Sequence, residues 1–109
     1  MGTPTDSVPT REEIVEYVDE AYPDEEILLF DDLDSAFIGI GFQQYEGPVA
    51  VYDRELCIEA LHKQFAEDGS DDPHTDALEW FGFNTEGAWL GEKTPIIVAT
   101  LESYRKLMA

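Results

Sequence analysis

Apolar residues recur at Ile14, Val18, Ala21 and Tyr22, the i, i+4, i+7, i+8 spacing of one helical face, while Glu12, Glu13, Glu16, Asp19 and Glu20 fill the remainder. Thr10 followed by Glu13 has the spacing of a capping box, and Pro23 ends the run, so a first helix is predicted between them. "EEILLF" (25–30) then reads as a short buried strand and "DDLD" (31–34) as the acidic connection leaving it. In "SAFIGIGFQQYEGPVAVYD" the alternation changes to period two. Ile38, Ile40 and Phe42 share one side of an extended segment, and Phe37, Gly39 and Gly41 share the other, where the glycines imply a close neighbour. Gln43 to Gly47 connects to a second strand, Val49 to Tyr52, as a hairpin with a loop of about five residues.

Asp53 is placed to cap a second helix with an apolar stripe of Cys57, Ile58, Leu61 and Phe65 that ends before Gly69. Asp72 and Pro73 cap and open a third, carrying Ala77, Leu78 and Phe81 and terminated at Gly82 or just beyond. "TPIIVAT" (94–100) reads as a further strand, and the last nine residues form a short helix or fray. Residues 1–9, with two prolines and little apolar content, read as a loose tail, and 10–109 as one domain. The expected class is α+β: a single small domain with about three helices packed on a mainly antiparallel sheet of about four strands.

Composition changes this picture through charge. Of 109 residues, 43% are apolar, enough for a core, but 25 Asp and Glu oppose six Lys and Arg, a formal charge of -19. Direct binding of nucleic acid is excluded as an expectation, because it rests on cations displacing counterions from phosphate. No apolar run is long enough to span a bilayer and "MGTPTDSVPT" lacks a signal-peptide pattern, so a cytoplasmic protein without membrane contact is expected. A single cysteine, Cys57, allows no internal disulfide, and its place on the apolar stripe favours a buried small hydrophobe over a nucleophile.

"DDLD" is the one candidate metal cluster. Asp31, Asp32 and Asp34 offer the hard oxygen ligands that suit magnesium, against the plainer reading of a solvated turn in an acid-rich chain. No stretch has EF-hand register, and the glycines of "GIG" lack the rest of a phosphate loop. His62, on the exposed side of the second helix, and His74, at the start of the third, have no serine or cysteine partner in a catalytic setting. No cofactor is expected. The remaining candidate is "FNTEGAWLGEKTP" (83–95), where Gly87 and Gly91 bracket Trp89, with Glu86, Glu92 and Lys93 beside it. It reads either as a structural corner or as a contact site with Asp31, Asp32 and Asp34 as its acidic rim.

Together "AFIGIG", "VAVYDRELCIEAL" and "ALEWFGFNTEGAWLGEKTPIIV" resemble a widespread group of small uncharacterised phage and bacterial proteins, in which an Ile-Gly segment, a "VYD" strand with a Cys-Ile helix and a "GAW-GE-TP" signature recur in this order. The resemblance spans roughly residues 31 to 98. It carries no catalytic residue onto the chain. It implies a phage or provirus accessory setting, in which small acidic proteins bind and block host machinery. Twelve of the acids fall within residues 1–35 and six within 66–79. Such clustering permits a face that imitates a phosphate backbone toward a basic protein; adaptation to high salt explains the same charge. The function expected is stoichiometric, non-catalytic binding to a protein with a basic surface. The alternative is a small metal-dependent hydrolase or nucleotide-processing enzyme using Asp31, Asp32 and Asp34.

Overall fold

The computed structural model describes residues 8–43, 47–86 and 90–108. Helix α1 (Arg11–Ala21) begins at Thr10 as the spacing predicts: the Thr10 hydroxyl accepts from the Glu13 amide, and the Glu13 carboxylate accepts from the Thr10 amide. Ile14 and Val18 are its buried positions, and its acidic residues are exposed. Strands β1 (Phe37–Gln43) and β2 (Gly47–Asp53) form the predicted antiparallel hairpin; its loop, 44–46, lies outside the described residues. A bulge interrupts the register between Phe37 and Gly39, and Gly39 takes a φ of +152° that side chains rarely adopt. The other glycine of β1 has a packing reason. A Cβ on Gly41 would stand 2.8 Å from Val51 Cγ2 and 3.7 Å from Ile96 Cδ1.

Helix α2 (Arg54–Glu67) follows β2 directly, capped by Asp53, and α3 (Pro73–Phe81) is capped by Asp72 with Pro73 in its first turn. The regular α-helix ends at its C-cap Gly82, as expected, but the winding does not. Gly82 keeps helical dihedrals, and the chain continues through Gly82–Glu86 as one wide π turn before β3 (Ile96–Val98) and a final helix, α4 (Leu101–Met108). The sheet order is β1-β2-β3, with β3 parallel to β2. A parallel neighbour needs a long crossover, and α2 with α3 supplies it.

The α+β class therefore holds, with four helices and a three-stranded mixed sheet among the described residues. The strand expected at 25–30 does not form: residues 26–30 have no ladder partner among the described residues. Their last backbone groups are satisfied by side chains instead. The Phe30 amide donates to the Tyr52 hydroxyl at 2.9 Å, and the Phe30 carbonyl accepts from Arg11 at 2.7 Å. Ile27, Leu29 and Phe30 still pack against the core, so the apolar run marked burial correctly and pairing wrongly. That core lies where Ala50 and Tyr52 meet Cys57, Ile58 and Leu61 of α2 and Ala77 and Phe81 of α3, closed by Leu33 and Ala36. Of the expected tail, residues 1–7 lie outside the described residues.

Candidate functional site

At the end of β2, Asp53 is 1% exposed, an unusual position for a carboxylate. It accepts from the Leu56 amide at 3.0 Å, the Thr100 hydroxyl at 2.9 Å and the Ser103 hydroxyl at 2.7 Å. Burial pushes its pKa up, but the hydrogen bonds from Ser103, Thr100 and Leu56 outweigh it and hold the carboxyl below its ordinary value. This node ties β2, α2 and α4 together; the sequence pattern revealed only its capping bond. The neighbouring thiol of Cys57 is buried, and burial, followed by the Asp53 charge, pushes it up to about 12. That is the reverse of an activated nucleophile. A groove of about 290 Å³ between α2 and α4 contains Ser103, His62 and His74, with the imidazole centroids 5.8 Å apart. The Ser103 hydroxyl is directed to Asp53, not to an imidazole.

The predicted glycine-bracketed corner is described only in part. Trp89, with Gly87 and Ala88, lies outside the described residues. Glu86 reaches back to Arg54 Nε at 3.1 Å, beside the last residue of β2. Lys93 donates to Glu25 and to the Pro48 carbonyl, both at 3.2 Å, near the first residue of that strand. Five residues of strand separate Pro48 from Asp53, about 17 Å. Glu92 is exposed between Gly91, whose φ is +96°, and Thr94, whose hydroxyl donates to the Gly91 carbonyl at 2.6 Å and closes the turn. Glu86 and Lys93 thus make ion pairs near opposite ends of β2, and both Glu86 and Glu92 are exposed.

Of the aspartates of "DDLD", two approach one cation and the third does not. Asp34 Oδ1 lies 3.0 Å from the Arg11 guanidinium, its counter-charge, although no hydrogen bond of good geometry reaches that oxygen. Asp31 is 3.8 Å from the same group and almost fully exposed, a contact worth little. Asp32 takes a left-handed φ of 63°, and its carbonyl accepts from Gln64. Among the described residues no three His, Cys, Asp or Glu side chains are arranged to hold a metal ion.

Asp31 and Asp32 do face something else. They line a groove of about 200 Å³ with Asp68, Phe65 and Trp80, and a shallower one of about 450 Å³ continues past Phe65 and Trp80 to Asp76, Glu79 and Phe83. The π turn throws Phe83 outward to 83% exposure, and Trp80 is 41% exposed. The result is an aromatic ridge with three carboxylates on one side and two on the other. Its signal was present in "EWFGFN": on a helix, successive residues point about 100° apart, so Trp80, Phe81 and Phe83 cannot all enter one core. Phe81, at 1% exposure, takes the interior.

Among the described residues no helix is long and apolar enough to cross a membrane. No family model, curated protein or solved structure matches the chain.

Proposed function

We propose that the protein is a non-catalytic binding module whose working surface is the Trp80–Phe83 ridge with its acidic margins, and whose partner is a protein segment combining cationic and apolar side chains. The observation that carries this reading is Phe83 at 83% exposure in a groove with Asp76 and Glu79, which shares Phe65 and Trp80 with the neighbouring groove of Asp31, Asp32 and Asp68. Contiguous exposed apolar surface rimmed by polar groups marks interaction sites, and aromatic anchors dominate their energetics. The surrounding carboxylates favour a basic partner and speed the encounter with it. The phage or provirus accessory role implied by the sequence resemblance, acting on a basic host protein, is the finer form of this proposal. Nucleic-acid mimicry is one route to it, with α1 supplying further exposed acids.

Calorimetric titration with a synthetic helical peptide of alternating lysine and leucine faces tests the surface. Binding is expected to weaken at least tenfold in Phe83→Ser, because one hot-spot aromatic contributes about 2 kcal/mol or more. It should also weaken from about 0.05 to 0.5 M salt as the carboxylates are screened. Equal affinity for wild type and Phe83→Ser would remove the ridge from the site. Loss of affinity in charge variants of α1, with Phe83→Ser unaffected, would support the mimicry route in its place.

A further inference from the structure

Helix α4 is fastened to the molecule at its start: Thr100 and Ser103 donate to Asp53, and Ser103 is its one buried residue. Its apolar residues are largely exposed, although Leu107 also lines the groove against α2. Leu101, Tyr104, Leu107 and Met108 are between 58% and 68% exposed, and their spacing of three, three and one places them within about a third of the helix circumference. Arg105 borders this stripe. In a chain of net charge -19, Arg11, Arg54 and Lys93 are engaged with Asp34, Glu86 and Glu25, whereas Arg105 makes no ion pair among the described residues.

We infer that α4 docks on the acidic aromatic grooves of a second copy of this chain, with the exchange made in both directions. The inference rests on the binding surface proposed above and names one occupant for it. The complementarity is on both sides: an apolar helix face with a cation at its border, and an aromatic ridge with carboxylates at its margins. Eight helical residues span about 12 Å, a length suited to a short surface groove. Reciprocal exchange gives a closed two-fold dimer that covers both exposed apolar surfaces of each copy. Two bodies of charge -19 repel at long range, so association is expected once screening is short, about 4 Å at ~0.5 M salt.

Sedimentation velocity of the full chain at ~0.5 M salt and several hundred micromolar tests this, with Phe83→Ser as the groove variant and Tyr104→Ser combined with Met108→Ser as the helix variant. All three positions are well exposed, so the variants should fold; circular dichroism checks that. Wild type is expected to dimerise, each variant alone to raise the dimer Kd at least tenfold, and an equimolar mixture of the two to regain association through the one intact helix-in-groove contact. Arg105→Glu should weaken the dimer as well. A wild type that stays monomeric overturns the inference, as does a Phe83→Ser dimer as tight as wild type, which would instead indicate helix-on-helix pairing. The lysine-leucine peptide separates the two readings. Peptide binding that depends on Phe83 in a monomeric protein leaves the surface standing and removes only the second copy, whereas failure of both assays removes the surface.

Discussion

Replacing Asp53 probes the point on which three elements depend. In Asp53→Ala, the Leu56 amide loses its cap and the Thr100 and Ser103 hydroxyls lose a charged acceptor in a nearly water-free position. A cap is worth about 1 kcal/mol and a hydrogen bond to a charged group about 1.5–3 kcal/mol. Re-solvation of the freed hydroxyls recovers part of this, leaving an expected loss of about 3–4 kcal/mol. Against a total of about 5–15 kcal/mol, such a loss lowers the melting temperature by about 15 °C or more. Asp53→Asn keeps the cap and one acceptor oxygen but presents an amide NH₂ to a hydroxyl, and should cost about 1–2 kcal/mol. Urea unfolding followed by circular dichroism at pH 7 gives both values. An alanine variant within about 1 kcal/mol of wild type would refute the reasoning, since the buried bonds would then contribute nothing net.

The same group predicts a pH dependence. The folded carboxyl is held below its ordinary value, whereas the unfolded one titrates near about 3.9. A depressed folded pKa contributes stability that is present in full above the unfolded value and is lost as pH falls through the folded one. The stability gap between wild type and Asp53→Asn should therefore be constant above about pH 5 and narrow below about pH 4. Using the difference matters, because protonation of the many exposed carboxylates relieves self-repulsion in both proteins alike. A gap that widens on acidification would contradict the assigned direction.

Two further substitutions test how the irregular segment and the hairpin are held. Tyr52→Phe removes the acceptor for the Phe30 amide and should cost about 1–2 kcal/mol, with faster hydrogen exchange at Phe30; unchanged exchange would mean that the bond does not hold the segment. Gly41→Ala places a methyl 2.8 Å from Val51 Cγ2, a stiff β-branched neighbour, and should cost about 1–3 kcal/mol in thermal melts. Adding Val51→Ala should restore part of that loss, and strict additivity of the two changes would place the strain elsewhere.

What could be read from the chain alone divides by range. The caps at Thr10, Asp53 and Asp72 were legible because a cap is decided within four residues by a side chain and an amide. The hairpin was legible for the same reason: alternation and a short loop define both partners. Residues 25–30 show where this stops. Their apolar character reported burial, but whether an extended segment joins a sheet depends on a neighbour far away in sequence. Here Tyr52 and Arg11 supply side-chain partners to Phe30 in place of a neighbouring strand. The direction of β3 depended likewise on a crossover of two helices, which periodicity along the chain does not encode.

The candidate site is less legible in the chain, because spacing does not show which charged side chains pair with one another in the fold. Lys93 and Glu86 stand out in the sequence as charges beside bracketing glycines, yet both are engaged in ion pairs within the fold, as are three of the six cations among the described residues. Arg11, Arg54 and Lys93 each fasten a carboxylate from a different segment. Such pairs are exposed enough that each contributes little energy, but they set where loops lie. Once those cations are spent inside the molecule, the outward surface is more uniformly anionic than the composition suggests, and charge alone no longer distinguishes one face from another. Discrimination then falls to the apolar residues that interrupt it. Trp80 and Phe83 on the acidic side, and the stripe of α4 beside Arg105, are such interruptions. A partner drawn in by the general field would be selected where its own apolar residues meet these, so the aromatic substitutions should separate specific binding from mere attraction.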